Sequence, residues 1–201
     1  MELTVVNRRY FFTLSAAFTC ALAFPAAAGG PEAFIRAKHE ELVKLLRAGG
    51  ADNERRVEGI FDSILDYDAL ARLSLDTYWA ERSEKERSEF TEILKKLVRR
   101  AYRKNVKKTL DYDITYQGQG KAKLGELVRT IAKNKSKPRE EPISIDYVLH
   151  QVGGAWRIVD IVTEGSSLVN NYKNQFRRII KKDGFAELLK KMRKKAEERD
   201  A

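Results

Sequence analysis

Cysteine is almost missing from this 201-residue chain: there is one, Cys20, and it sits in an apolar run near the N-terminus. If that run is a leader and is removed, what remains has no disulfide, no thiolate nucleophile and no cysteine metal site. Stability must then come from packing. Histidine is nearly as scarce. His39 and His150 are the two, and neither lies in an H-x-x-x-H or C-x-x-C context, so no metal ligand set is expected. A P-loop, a G-x-S-x-G elbow and a dinucleotide glycine pattern are all absent, which removes the common nucleotide and serine-hydrolase chemistries. No cofactor is expected.

Long apolar runs are lacking too, with one exception. MELTVVNRRYFFTLSAAFTCALAFPAAAGG places Arg8 and Arg9 before an apolar stretch from Tyr10 to Phe24, and Ala26-Ala27-Ala28 after it. That order is a secretory signal peptide, residues 1–28, with cleavage after Ala28. The stretch is short for a membrane span. Arg8-Arg9 followed by Tyr-Phe-Phe fits a twin-arginine signal, which exports folded protein, and equally an ordinary secretion signal holding two arginines. Either one places residues 29–201 outside the inner membrane, in the periplasm.

Acidic residues are in deficit. Net charge is +10, or +9 once Arg8, Arg9 and Glu2 are removed, and the excess is local. Eight of the fourteen residues from Lys95 to Lys108 are basic and none is acidic; from Lys173 to Lys195 ten are basic. In the cytoplasm such clusters would suggest nucleic acid. Outside the inner membrane the available polyanions are lipid head groups and acidic protein surfaces. A solvated helix face remains the ordinary reading of any single lysine.

The patterning divides residues 29–201 into helices, strands and helices. Pro31–Ala48 carries Phe34, Ile35, Leu42, Val43, Leu45 and Leu46 at helical spacing and stops at Gly49-Gly50. Asp52 is placed to cap a second helix with Val57, Ile60, Phe61, Ile64 and Leu65 inward. LDYDALARLSLDTYW is a further helical piece. Ser83 and Glu86 form a capping box for the longest helix, with Phe90, Ile93, Leu94, Leu97, Val98, Ala101 and Tyr102 as its apolar stripe. From Asp111 the period falls to two. DYDITYQGQ alternates, KAKLGELVRTIAK reads as a weaker strand, NKSKPREEP as a polar loop, and ISIDYVLHQV turns at Gly153-Gly154 into the strand Ala155–Val162. Helices follow at Ser167–Lys182 and Asp183–Arg199. The expected fold is α+β: a curved antiparallel sheet (about 111–163) with helices before it (about 31–110) and closing helices after it (about 166–199), as one domain.

One acid–base arrangement fits this layout. A curved sheet can hold an aspartate and a tyrosine in an apolar pocket, as in an isomerase that moves a proton beside a carbonyl. Asp146, Asp160, Tyr112, Tyr116 and Tyr147 lie on the strands. The alternative is that both aspartates point outward and the tyrosines are core. A third reading is an adaptor that binds by its basic helices alone.

Four stretches carry a resemblance to a known family. They are LDYDALARLSLDTYW (65–79), RSEFTEILKKLVRRAY (87–102), LVRT (127–130) with SIDYVLHQVGGAWRIVDIV (144–162), and EGSSLVNNYKNQFRRIIKKDGFAELLKKMR (164–193). Together they resemble the MlaC family, also called the toluene-tolerance or ABC-transporter auxiliary family. The chain departs from the family pattern in two places: Asp76 stands where Leu-Gly is usual, and Lys173 where arginine follows the motif tyrosine. Lysine there would replace a forked phosphate contact by a point charge.

The resemblance implies a cone-shaped, nuclear-transport-factor-2-like (NTF2-like) fold around a deep apolar cavity, and a periplasmic carrier of phospholipid, acting as a monomer and not as an enzyme. It further implies docking to an inner-membrane ABC transporter through a membrane-anchored lipid-binding subunit, and to an outer-membrane lipoprotein–porin complex. Those exchanges maintain outer-membrane lipid asymmetry. A hopanoid-associated branch leaves the apolar cargo open. On this reading Trp156, Ile158, Val159, Ile161 and Val162 line the cavity, and Leu168, Val169, Tyr172 and Phe176 close its side. Trp79, Phe90, Leu94, Tyr102, Val128, Tyr147 and Leu149 complete the wall. Lys173, Arg177, Arg99 and Arg103 meet head groups or partners, and no residue is catalytic.

Overall fold

A computed structural model describes residues 29–198; the expected leader lies outside them. Helix α1 (Pro31–Ala48) starts with proline in its first turn, where no N–H is needed, and α2 (Ala51–Ile64) comes directly after it. Gly50, not Asp52, occupies the cap of α2; Asp52 lies in its first turn. Asp66 caps α3 (Tyr67–Leu75) by accepting from the Ala69 N–H at 2.8 Å, and α4 (Thr77–Ala80) is a single turn. Ser83 and Glu86 form the reciprocal capping box that starts α5 (Glu84–Asn105). A short 3-10 helix, Val106–Asp111, then leads into the sheet.

The sheet is a five-stranded antiparallel meander in chain order: β1 (Tyr112–Ala122), β2 (Gly125–Asn134), β3 (Ile143–Val152), β4 (Ala155–Thr163) and the two-residue β5 (Ser166–Ser167). Gly153 and Gly154, at φ 57° and 81°, make the tight β3–β4 turn, where both central residues need positive φ. The stretch that reads as one weak strand from Lys121 to Lys133 is instead the end of β1, a turn at Lys123-Leu124, and β2. No turn dipeptide marks that corner. Gly125 makes it possible: it holds φ 152°, and a Cβ there would fall 2.0 Å from the Leu149 carbonyl oxygen.

Two register shifts bend the sheet, one between Tyr116 and Gly118 on β1 and one opposite Val148/Leu149 on β4. On β4 the extra residue is Val159, since Val148 faces Asp160 and Leu149 faces Ile158. Such a bulge turns a strand and resets its alternation. Val159 then packs with Val148 and Ala69 of α3 in a small separate cluster.

Helices α6 (Leu168–Asp183) and α7 (Phe185–Glu197), separated by Gly184, complete the fold. Helix α6 packs on α3 and α7, and α7 on α5. Phe90 is the hub, edge-on to Phe176 at 5.4 Å and tilted against Phe185 at 6.2 Å between ring centroids.

Asp160 is buried, not outward: the Val159 bulge takes it off the concave face it would share with Ile158 in a regular strand and sets it opposite Val148, beside the start of α6. It accepts from the backbone N–H of Ile161 (2.9 Å) and Val169 (3.0 Å) and from the Ser167 hydroxyl (2.6 Å). Ser167 in turn caps α6 through the Asn170 N–H. One carboxylate thus ties the sheet edge to the start of α6. Asp160→Ala would strand those donors, and we expect a loss of about 3 kcal/mol in urea unfolding.

Asp76 joins α3 to α4 at φ 52°, ψ −125°, backbone that suits glycine. Its carboxylate meets Lys173 Nζ at 2.9 Å and Arg177 Nη2 at 3.4 Å, so the two departures from the family pattern touch each other. Those exposed pairs contribute little beside a backbone strain of about 1–3 kcal/mol. Asp76→Gly is therefore expected to hold or raise the melting temperature, and Asp76→Val to lower it.

Candidate ligand-binding cavity

The concave face of the sheet is covered by α1, α2 and the 3-10 helix without being filled. Between them lies a partly open cavity of about 410 Å³. Its sheet wall is apolar: Ile114 and Tyr116 of β1, Ala132 of β2, Ile143, Ile145 and Tyr147 of β3, Ile158 and Ile161 of β4. The helical wall comes from Ile35 and Leu42 of α1, and Ile60, Phe61, Ile64 and Leu65 at the end of α2. Ile158 and Ile161 are three positions apart and still share this face because the Val159 bulge lies between them.

The α2–α3 corner is fastened to the sheet at the same place. Asp66 N–H donates to the Ile158 carbonyl (3.0 Å), Leu65 bridges Ile158 in parallel, and the Asp66 carboxylate contacts His150 Nε2 at 2.7 Å. A smaller recess of about 320 Å³, lined by Arg99, Arg103, Glu54 and Glu58 among others, adjoins the cavity. Phe61 and Tyr102 belong to both walls, their rings stacked at 4.3 Å.

Polar groups on the cavity wall are few, and none is a carboxylate. Burial, then the neighbouring Tyr116, pushes the Tyr147 phenol up to about 12; burial first, with other tyrosines adding to it, carries Tyr102 higher still. Both stay neutral. Lys38 pairs with Glu41 (2.9 Å), and Lys108 is exposed. Among the described residues three buried side-chain polar atoms have no hydrogen-bond partner, and two of them, His39 Nε2 and Tyr116 Oη, belong to this wall; the third is Arg82 Nε. Burial, with Lys135 adding and Glu40 opposing, holds the His39 imidazole below its ordinary value. Asp146 and Asp160 lie elsewhere, so the arrangement needed for proton abstraction is not assembled here. Among the described residues no cluster of three metal-ligating side chains occurs, and no helix is long and apolar enough to cross a membrane.

Of the wall residues expected from sequence, Tyr102, Tyr147, Ile158 and Ile161 line the cavity. Val128 and Leu149 share the concave face, paired with Tyr147 and Ile158, but are fully covered. Phe90, Leu94, Val169 and Phe176 are instead buried core around the closing helices, with Leu168 and Tyr172 packed at its edge. Val159 and Val162 are not on the wall: the bulge and the alternation after it turn them from Ile158 and Ile161. Trp79 lies under the Arg87 guanidinium, whose Nε donates to its carbonyl at 3.0 Å; Trp156 Nε1 reaches the Gly29 carbonyl at 3.4 Å. The first two helices, the 3-10 helix and the alternating faces of β1 and β3 provide most of the wall, although their sequence pattern reads simply as core. An apolar stripe is the same signal for either role.

The basic residues expected to meet head groups are engaged within the protein. Lys173 and Arg177 meet Asp76, and Arg103 pairs with Glu58 (2.7 Å). Arg99 grips Asp62 through both nitrogens, Nε at 2.7 Å, while Tyr67 Oη donates to the same carboxylate at 3.2 Å.

These features define a class first: an α+β protein whose curved antiparallel sheet and N-terminal helices enclose an apolar recess. The chain belongs to the MlaC family, whose model matches residues 39–194. Its fold is similar to that of a phospholipid-binding protein from Ralstonia solanacearum, solved in complex with a phospholipid. The TM-score is 0.71 at 18% identity, covering 84% of this chain and 97% of that one. A comparison with curated proteins gave no match.

Burial opposes ionisation of Asp62, but the bonds and charge of Arg99 outweigh it and hold the carboxyl below its ordinary range. The stabilisation is therefore whole above the unfolded carboxyl value of about 3.9 and declines as pH falls through the folded one. Melting temperatures measured from pH 6 to pH 2.5 should fall less steeply in Asp62→Asn than in the wild type.

Proposed function

We propose that this protein is a periplasmic lipid carrier, which takes phospholipid acyl chains into the cavity and moves lipid between outer-membrane and inner-membrane transport complexes. The observation that carries this reading is the apolar cavity, walled by isoleucines and by tyrosines held neutral, within the size range of ligand pockets. Family membership and the phospholipid held by the Ralstonia solanacearum protein support it.

The energetics require partners. Burying a long acyl chain is worth on the order of 10 kcal/mol at about 0.8 kcal/mol per CH₂. Release into water is therefore slow, whereas transfer into a bilayer or another apolar channel buries the same methylenes again at little net change. A carrier of this kind loads and unloads only where it docks. The net charge of +9 that remains without the leader suits approach to anionic head groups or acidic partner surfaces, with a rate that falls as salt rises. Direction comes from an ATP-driven inner-membrane transporter.

Native mass spectrometry of protein purified from the periplasm without detergent tests the reading. Diacyl lipid masses are expected on the wild type. They should be lost in Ile145→Glu and Ile161→Glu, which put a charge on the wall, and kept in Val162→Glu. A triterpenoid mass would keep the carrier and change its cargo; a bare protein, even after incubation with vesicles, would sink the proposal.

A further inference from the structure

His39 Nε2 and Tyr116 Oη are buried polar atoms without partners, and both belong to the wall of an otherwise apolar cavity. An unmade hydrogen bond at a buried donor is expensive, so such groups mark a partner that arrives with a ligand. They come from facing elements. Tyr116 lies on β1 just before its register shift, and the Arg36 guanidinium covers its ring at 3.9 Å. His39 is three residues beyond Arg36, the next position on that side of α1. Both residues therefore lie beside Arg36 on facing walls of the same cavity.

The order of groups along the wall narrows the ligand. Lys108 is exposed, His39 and Tyr116 are partly buried, and Ile158 and Ala132 are deeply covered. A purely hydrocarbon ligand would leave both atoms unpaired. A phosphate at their level would have to draw Lys38, Arg36 and Lys135 away from Glu41, Glu32 and Asp113, which already engage them. What fits is a neutral acceptor set between a polar head and alkyl chains.

Resting on the carrier reading, we propose that His39 and Tyr116 form a hydrogen-bonding station for the ester carbonyls of a glycerolipid, and so select ester-linked diacyl lipids over ether-linked or wholly hydrocarbon ones. A neutral imidazole carrying its proton on Nε2 and a rotatable phenol O–H both donate, and an ester carbonyl accepts. The ether oxygen of a dialkyl lipid is a poorer acceptor in a different position.

The test uses delipidated full-length mature protein with two probes, dioleoyl phosphatidylglycerol and its dialkyl ether counterpart, which share head group and chain length. Wild type should bind the ester lipid more tightly by about fivefold or more, the worth of one net hydrogen bond. Tyr116→Phe and His39→Leu should each bring that ratio toward unity by weakening the ester lipid more than the ether lipid. Tyr116→Phe keeps the ring under Arg36, and the lipid-free variant should melt no lower than wild type, because the hydroxyl it loses has no protein partner. Equal affinity of wild type for the two lipids would overturn the station and leave the carrier standing. So would an equal loss of both lipids in the variants, or a lower lipid-free melting temperature in Tyr116→Phe, each of which assigns these residues to packing. Failure of wild type to bind either lipid would remove the carrier reading and the station with it.

Discussion

An extra residue in one strand governs where everything else can go. Val159 is inserted into β4 against β3, and around it the strand changes what it offers to each side. Ile158 and Ile161 both reach the concave face, Val159 turns to Ala69 of α3, and Asp160 turns in to hold the start of α6. A regular strand would alternate strictly, so Ile158 and Ile161 would lie on opposite faces. The bulge also bends the sheet, and a bent sheet leaves a hollow that a flat one would close by packing directly on helices.

Keeping that hollow open is the second constraint, because apolar surfaces left to themselves close up. Here α2 is fastened to the sheet at its end and to α5 and the 3-10 helix by ion pairs spaced along its length. Leu65-Asp66 is stitched to Ile158 and His150, and Asp62 at the last turn of α2 is held by Arg99 from α5. The large aromatic side chains that could have filled the space are used elsewhere: Phe90, Phe176 and Phe185 form a compact joint among α5, α6 and α7. Filled and unfilled regions are thereby separated within one continuous apolar core: the rings pack the α5–α6–α7 joint, and the lined recess lies between α1, α2 and the sheet.

That separation explains what could be seen in the sequence. Element order, the Ser83–Glu86 capping box, the Gly153-Gly154 turn and the α+β class all come from local rules, and local rules are written in short stretches of residues. The turn at Lys123-Leu124 escaped because its glycine stands after the corner, in close contact with Leu149. The wall was legible only in part for a deeper reason. Phe176 in a core and Ile145 on a cavity obey the same periodicity, and only the bulge and the end-stitching decide which stripe meets protein and which meets space. The partners of the basic residues within the fold were hidden in a similar way. Charge can be counted in a sequence, but Asp62, Asp76 and Glu58 engage Arg99, Lys173, Arg177 and Arg103 across elements far apart in the chain.

A cavity bounded this way has a mechanical consequence for exchange. Phe61 and Tyr102 stack face to face where the main cavity meets the smaller recess, and both rings sit on helices, α2 and α5, joined by the Asp62–Arg99 and Glu58–Arg103 pairs. Two rings packed at 4.3 Å with no hydrogen bond between them separate at the cost of their contact area and about 0.5–1.5 kcal/mol of ring–ring attraction, while the ion pairs beside them keep the helices in register. The least costly way to enlarge the recess is thus a side-chain movement within a fixed frame. On the carrier reading acyl chains are to be held firmly yet surrendered on contact, and a rigid frame with one yielding internal wall reconciles those two demands better than a frame that opens as a whole.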